Sequence, residues 1–185
     1  MENLLPADNA HLPYEIYATD ARVMVLAQDC EPDDHTSVPN LIATVRSISL
    51  PSAIALAPDG GAIAAAIPQS TEVSCQAFLI ASRNSGKGTS LAYLVNQNRD
   101  ADALFVASPR HQQVLATTYE SILNALTPHM VVIPTYKGKR GNLALFSRVW
   151  FEVLSLLSGD QSIDLILNNN PLLIGEIEVN DPFIF

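Results

Sequence analysis

A short polar loop, residues 82–90, carries residues that could bind an anionic ligand. It reads Ser-Arg-Asn-Ser-Gly-Lys-Gly-Thr-Ser and lies between an apolar run and a helical pattern. Backbone N–H groups at the start of a helix bind phosphate, and Lys87 adds a positive charge. The loop is not a complete P-loop, because Ala81 stands where that motif needs glycine and Gly88 stands where it needs Ser or Thr. It is either an anion-binding loop or a flexible connection that ends in a helix cap.

A second segment, Tyr136–Asn142, concentrates positive charge in an otherwise acidic chain. It reads Tyr-Lys-Gly-Lys-Arg-Gly-Asn and holds three of the 10 basic residues. An arginine guanidinium binds phosphate through paired hydrogen bonds, so Arg140 makes this segment a candidate site for a phosphorylated ligand. A solvated hairpin explains the same residues, and both interpretations stay open.

The remaining residues of chemical interest do not combine into a recognisable site. The cysteines, Cys30 and Cys75, and the four histidines are too widely spaced for a zinc cluster, so we predict no metal site from them. Ser158–Gln161 lies between two helical patterns, where Gly159 is expected to end one helix and Asp160 to cap the next. That structural role explains the segment without a ligand.

Composition and charge exclude several classes of function. The 185-residue chain has 19 acidic and 10 basic residues, a net charge of −9, which disfavours binding to nucleic acid. No apolar run reaches the ~20 residues of a membrane helix, and the first residues lack the basic-then-apolar order of a secretory signal. We expect a cytoplasmic protein with an irregular N-terminal arm over residues 1–20 and one domain over residues 21–185.

Short apolar runs alternate with helical patterns along that domain, which predicts an α/β fold with a helix-flanked, largely parallel sheet. Helices are expected from Thr36 or Ser37 to Pro51, over Leu91–Gln97 with Thr89 as its cap, and over Gln112–Leu126. The predicted core strands are Val23–Ala27, Ser52–Ala57, Phe78–Ala81, Ala103–Ala107 and Met130–Pro134. The later segments Ser147–Leu157 and Gln161–Leu167 are predicted helices, and Leu143–Phe146 and Ile174–Val179 are predicted strands.

An ordered string of motifs covers most of residues 103–182. It consists of VIPTYKGKRGN at Val132–Asn142, LSLLSGD at Leu154–Asp160 and IEVNDP at Ile177–Pro182. This order resembles the C-terminal half of the MobA-like NTP-transferase family, the molybdenum-cofactor cytidylyltransferases and guanylyltransferases. NSGKGTSL at Asn84–Leu91 resembles the family more weakly. The resemblance implies a Rossmann-like three-layer α/β/α sandwich with a mixed, mostly parallel sheet, as in the nucleotide-diphospho-sugar transferases.

The resemblance also implies a ligand and a site. Members of the family transfer a nucleotide from CTP or GTP to molybdopterin, with magnesium held by carboxylates. By this resemblance the loop at residues 82–90 belongs to a nucleotide-recognition surface, which we expect at the C-terminal ends of the first and fourth strands. The candidate cofactor-binding residues are Arg83, Ser85, Gly86, Lys87, Gly88, Thr89, Ser90, Arg140 and Asn142.

The chain departs from the family pattern at the positions that carry its chemistry. The family's metal-binding Asp would follow Ala103–Ala107, where this chain has Ser108-Pro109-Arg110-His111. The loop after the first strand, Gln28–Asp34, holds four carboxylates and no glycine, and these would repel a triphosphate. Gly141-Asn142 replaces the family's Gly-His pair. We therefore assign no catalytic residue and no metal ligand.

Two hypotheses follow, and they leave open whether the protein is an enzyme. In the first, the chain is a degenerate member of the family that lacks transfer activity and acts as a cofactor- or protein-binding accessory factor, with molybdopterin or a molybdoenzyme as its partner. In the second, it is an active molybdopterin cytidylyl- or guanylyltransferase that uses CTP or GTP and magnesium, held by replacement acids from Asp29–Asp34. A carboxylate pair close to Gly86–Ser90 would favour the second.

Overall fold

The computed structural model describes residues 20–30, 36–126 and 130–185, so most of the predicted N-terminal arm lies outside it. Eight strands form one sheet. They are β1 (Ala21–Ala27), β2 (Ser52–Leu56), β3 (Cys75–Leu79), β4 (Ala103–Ala107), β5 (Val131–Tyr136), β6 (Lys139–Arg140), β7 (Ala144–Ser147) and β8 (Ile174–Glu178). The helices are α1 (Ser37–Ser47), α2 (Gly61–Ala66), α3 (Lys87–Gln97), α4 (Ala116–Asn124), α5 (Phe151–Ser155) and α6 (Ile163–Asn169). None of these helices is long and apolar enough to cross a membrane.

The sheet is mixed, as predicted, and its parallel strands β1 to β4 form one side of it. The strand order is β3-β2-β1-β4-β7-β5-β6, and β8 pairs with β5. Strands β1, β2, β3 and β4 run parallel, as do β5 and β8, whereas β7 is antiparallel to both β4 and β5. Parallel neighbours bring the carboxyl ends of β1 and β4 to the same edge, where open α/β sheets bind ligands.

Two apolar layers cover the two faces of the sheet and confirm the three-layer architecture. Alternate residues of a strand point to opposite faces, so Val23 and Met24 enter different layers. One layer packs the sheet against α1 and α4, with Leu41 and Tyr119 fully buried. The other packs it against α3, α5 and α6, with Leu94 fully buried. Strands buried on both faces explain the continuous apolar runs in the sequence.

Charged residues join the strands at the amino ends of β1 and β4. The Arg22 guanidinium binds Asp20 at 2.7 Å and Asp100 at 2.6 Å. Arg148 extends the network with an ion pair to Asp102 at 3.1 Å and a hydrogen bond to the Ala101 carbonyl at 2.7 Å. Hydrogen bonds from Arg22 lower the pKa of Asp100 below its ordinary value. The arginines at this end of the sheet are therefore paired with carboxylates of the same chain.

The helix predicted over Gln112–Leu126 is confirmed over Ala116–Asn124, but its predicted start is wrong. The chain forms a 3-10 turn over Pro109–Gln113, then extends at Leu115 and enters α4 at Ala116. The break has a tertiary cause, because the buried Asp181 carboxylate accepts the Leu115 N–H and the Thr118 hydroxyl, each at 2.8 Å. A helix terminus gains such a partner from a distant segment, which helical periodicity does not reveal.

Other boundaries also differ from the prediction. The helix predicted over Ser147–Leu157 is a 3-10 turn at Arg148–Trp150 followed by α5, which begins at Phe151. β3 spans Cys75–Leu79 rather than Phe78–Ala81, because an edge strand is partly exposed and lacks a continuous apolar run. α3 begins at Lys87, and Thr89 does not cap it. Ser162, rather than Asp160, caps α6 by accepting the Asp164 N–H at 3.1 Å.

Candidate functional site

A cleft of about 660 Å³ opens at the carboxyl ends of β1 and β4. The sequence predicts a ligand site at this edge of the sheet. Aliphatic side chains of the strands and helices form its apolar lining, and these are Leu26, Leu91, Val106, Ile133 and Leu167. Polar residues contributed by five separate loops or helix starts also line it, namely Asp29, Lys87, Ser108, Arg110, His111, Asn142 and Asp164. An apolar cleft with a few convergent polar groups is the usual form of a small-molecule site.

Lys87 and Asn142 are the predicted site residues that line the cleft. Lys87 is the first residue of α3, and its ammonium lies 3.0 Å from the Asp29 carboxylate, with both side chains 62% exposed. Exposed pairs of this kind contribute roughly 1 kcal/mol or less, so an anionic ligand can compete with Asp29 for Lys87. The Asn142 backbone N–H donates to the Ile184 carbonyl at 2.7 Å, which anchors this residue to the C-terminal segment.

Four of the predicted residues, Gly86–Ser90 apart from Lys87, build the loop contact beside the cleft. A Cβ on Gly86 would lie 2.1 Å from the Gly159 carbonyl, and a Cβ on Gly88 would lie 2.8 Å from the Gln161 carbonyl. Thr89 accepts the Gly159 N–H at 2.9 Å, and the Ser90 hydroxyl donates to the Gly86 carbonyl at 3.2 Å. The glycines therefore allow the segment 158–161, which brings Gln161 to the cleft, to pack directly on this loop.

The other three predicted residues have separate positions. Ser85 is half-buried in the 3-10 turn Arg83–Ser85, and the side chain of Arg83 lies outside what the structure describes. Arg140 is exposed on β6, where its Nε donates to the Glu176 carboxylate at 2.6 Å. The predicted basic loop is thus a short β5–β6 hairpin, as the solvated interpretation of that segment expects.

His111 lines the cleft, although the histidines are too widely spaced in the sequence to predict a site. Its side chain is 2% exposed, and its Nδ1 accepts the Ser108 N–H at 3.0 Å. Nε2 is buried and has no hydrogen-bond partner among the described residues. Burial, assisted by the nearby positive charge of Arg110 and opposed by Asp181, lowers the pKa of His111 to about 4. The imidazole is therefore neutral near pH 7. The sequence signal that could have identified His111 as a cleft residue is its position in the turn directly after β4.

The described carboxylates do not form a magnesium site by themselves. Asp29 is paired with Lys87, and one Asp164 oxygen accepts the Ser162 hydroxyl at 2.7 Å. Within residues 20–30, 36–126 and 130–185, no three carboxylate, histidine or cysteine side chains converge on one point. Magnesium needs several oxygen ligands in octahedral geometry, which this set does not supply. The predicted replacement acids Glu31, Asp33 and Asp34 lie outside the described residues.

Comparison with known proteins identifies the fold. No family model matches the chain, and no curated protein matches its sequence. The structure of Rv0371c from Mycobacterium tuberculosis in complex with manganese is similar at 18% identity, covering 88% of this chain and 89% of that one, with a TM-score of 0.71. A nucleotidyl transferase from Methanothermobacter covers 89% of both chains at 13% identity and a TM-score of 0.68.

A third solved structure is that of 4-diphosphocytidyl-2C-methyl-D-erythritol synthase from Anaerococcus prevotii. It is 9% identical, covers 92% of this chain and 91% of that one, and has a TM-score of 0.71. The chain thus has the nucleotidyltransferase fold implied by the family resemblance. Identities of 9% to 18% show the fold alone, and the MobA-like family itself is not confirmed.

Proposed function

We propose that this protein binds a nucleotide in the cleft at the carboxyl ends of β1 and β4 and does so as an accessory factor, without nucleotidyl transfer. The observation that carries the proposal is the convergence of Lys87, Ser108 and Asn142 on an apolar cleft of about 660 Å³. The apolar lining suits a flat base or pterin ring, and the polar groups suit phosphate or carbonyl oxygens. The nucleotidyltransferase fold supports the same ligand class.

The groups at the end of β4 support binding rather than transfer. Nucleotidyl transfer relies on metal ions that neutralise the charge developing on the phosphates. The turn after β4 presents Pro109, Arg110 and His111, none of which carries a carboxylate. Asp29 and Asp164 line the cleft and add negative charge where a triphosphate would lie. These acids disfavour the further negative charge that develops during transfer, whereas Lys87 and Arg110 in the same cleft can still bind a phosphate group.

The partner of such a factor follows from the sequence resemblance. In the proposed role the protein binds molybdopterin or a nucleotide derivative of it, in the cytoplasm, and takes part in the maturation of a molybdoenzyme. The order of motifs over residues 132–182 supports this partner.

A second candidate function is nucleotidyl transfer from CTP or GTP to molybdopterin with magnesium. One observation favours it: Asp29 and Asp164 line the same cleft from opposite parts of the chain. The similar Mycobacterium tuberculosis protein was solved with manganese. In this alternative, acids of Gln28–Asp34 would complete the metal site.

A thermal-shift titration with CTP, GTP and ATP, with and without magnesium, tests the proposal. A ligand that binds the native state raises the melting temperature by mass action. We expect a shift that does not depend on magnesium and that falls in Lys87→Ala. Lys139→Ala is the matched control, because Lys139 is equally a surface lysine but lies on β6, outside the cleft. No shift with any nucleotide would contradict the proposal. Pyrophosphate release with CTP or GTP and molybdopterin would favour the second function.

A further inference from the structure

Two oppositely charged residues that line the cleft, Lys87 and Asp29, form an ion pair with each other. The Lys87 ammonium lies 3.0 Å from the Asp29 carboxylate, and both side chains are 62% exposed. The two residues belong to different walls of the cleft, because Lys87 begins α3 and Asp29 follows β1. The contact therefore joins these walls at the carboxyl end of β1.

The helix directs the Lys87 side chain towards the cleft. Residues four apart lie on the same face of an α-helix, and Leu91, four residues after Lys87, is buried and lines the cleft. The backbone on either side of Lys87 is held in place, since Gly86 and Gly88 pack directly against the segment 158–161. The chain thus presents this ammonium at a defined position, where it already contacts a carboxylate.

The Asp29 carboxylate and a ligand phosphate would bind the same ammonium. Both groups offer negatively charged oxygens, and an ammonium binds either of them through charge-assisted hydrogen bonds. Exposed ion pairs are weak, so a phosphate can separate Lys87 from Asp29 at a small loss of affinity. A ligand therefore gains less from Lys87 than it would from a lysine without a partner.

We propose that Asp29 is an internal competitor of the ligand, an inference that rests on the proposed nucleotide-binding function. Its carboxylate holds Lys87 until a phosphate displaces it, and this lowers the affinity for phosphate-bearing ligands by a common factor. Free phosphate gains only the weakened contact with Lys87. A nucleotide also gains from the apolar lining, to which Leu26 and Leu91 contribute. Asp29 thus makes binding depend on the base as well as on the phosphate.

Substitution of the two partners, alone and together, measures this competition. Titration calorimetry on the full chain, in buffer without magnesium, gives the affinity for inorganic pyrophosphate and for CTP, with cytidine as the phosphate-free control. Asp29→Asn removes the charge and keeps the size of the side chain. Glu152→Gln is the matched control, because it removes the same charge from an exposed pair outside the cleft, Arg99–Glu152 at 2.9 Å.

We expect Asp29→Asn to bind pyrophosphate and CTP about three- to fivefold more tightly than the wild type, the range for the release of an exposed pair. Cytidine should bind both proteins equally, and Glu152→Gln should match the wild type for all three ligands. Lys87→Ala should bind pyrophosphate and CTP more weakly. When Lys87→Ala is already present, adding Asp29→Asn should change the affinity by less than about twofold, because the competition has been removed.

Two results of this cycle would overturn the inference and leave the proposed function intact. In the first, the full gain from Asp29→Asn persists in the Lys87→Ala background, which would show that Asp29 repels the ligand directly. In the second, pyrophosphate or CTP binds and Asp29→Asn leaves the affinity unchanged. Absence of binding by both ligands to the wild type and to Asp29→Asn contradicts the proposed function, and this inference with it.

A measurement on the wild-type protein covers the case in which a variant misfolds. Carbon NMR spectra of the side-chain carboxyl groups follow Asp29 directly. We expect its signal to shift on addition of pyrophosphate and not on addition of cytidine, while the Glu152 signal stays unchanged with both. An unmoved Asp29 signal while pyrophosphate binds would show that the carboxylate is not displaced, and the inference would be overturned.

Discussion

Charged side chains satisfy one another at the amino ends of β1 and β4, whereas at the carboxyl ends of the same strands they surround a cleft. Arg22 and Arg148 bind three carboxylates and two backbone carbonyls across the amino ends. At the other end, Lys87 has one exposed partner, and the buried His111 Nε2 has none among the described residues. The same two strands thus hold a structural network at one edge and unmet hydrogen-bonding capacity at the other.

The difference indicates how this fold separates stability from binding. A network whose charged groups are paired within the chain contributes to folding, and those internal pairs compete with any ligand. An unpartnered donor weakens the fold until a ligand or water supplies the missing bond. We therefore expect substitutions at the amino ends to change stability alone, and substitutions facing the cleft to change binding.

The largest effect is expected at Asp181, which stands behind the cleft and is fully buried and fully partnered. Asp181→Ala leaves the Leu115 N–H, the Thr118 hydroxyl and the Phe183 N–H without their acceptor. Loss of a buried, hydrogen-bonded carboxylate costs on the order of 3–5 kcal/mol in the free energy of unfolding. Urea denaturation of the variant and the wild type measures this loss of stability. Asp181→Asn, which keeps the shape and part of the acceptor capacity, should cost less than Asp181→Ala. Equal stability of Asp181→Ala and the wild type would show that this carboxylate does not anchor α4.

The next largest effect is expected at Gly86, where the loop beside the cleft meets Gly159. Its φ is +80°, and a Cβ there would lie 2.1 Å from backbone atoms, so Gly86→Ala should lower stability by about 3 kcal/mol. Gly138 is the matched control, because its φ is +72° but nothing lies within 4 Å of a Cβ. Gly138→Ala should cost about 1 kcal/mol, from the backbone conformation alone. Equal melting temperatures for the two variants would contradict the close contact between the loops.

The free energy of unfolding should rise with pH between about 4 and the ordinary histidine value of 6.5 because of His111. Burial lowers its pKa in the folded state, so the unfolded chain binds more protons in this window, and raising the pH favours folding. The shift corresponds to about 3 kcal/mol, gained as the pH rises through the window and fully present above it. Denaturation at several pH values measures the slope. His111→Asn should remove this part of the slope, and an unchanged slope would assign it to other groups.

The smallest effect is expected at the amino ends of the strands. Arg22→Ala removes ion pairs to Asp20 and Asp100, whose carboxylates are 42% and 73% exposed. Partly exposed pairs of this kind contribute about 1 kcal/mol, and salt screens them. We expect a modest loss of stability that shrinks in high salt, with unchanged affinity for nucleotide. Weaker nucleotide binding in Arg22→Ala would break the separation between the two ends.

The sequence predicts the central elements because their signals are local. Val23–Ala27 and Ala103–Ala107 are continuous apolar runs, and the structure places both in the centre of the sheet. It does not predict the break before α4, because that depends on Asp181, 63 residues beyond Thr118. At the site, the Gly-Lys-Gly pattern of residues 86–88 predicts Lys87 as a binding residue. It does not predict that the two glycines pack against the segment 158–161. His111 stands out because it is buried and because its Nδ1 accepts the Ser108 N–H. The pattern of residues in the sequence predicts neither feature.

The central claim is that nucleotide binds at the carboxyl ends of β1 and β4 and is not transferred. An amide NMR titration of the full chain with CTP, with and without magnesium, tests the binding part of this claim most directly. Molybdopterin is then added to the same sample, and released pyrophosphate is measured to test for transfer. We predict shifts at Ser108–Gln112, Lys87 and Asn142, unchanged signals at Asp20–Arg22 and Asp100–Asp102, and no pyrophosphate. Shifts confined to the amino ends, or pyrophosphate released in proportion to protein, would contradict the account.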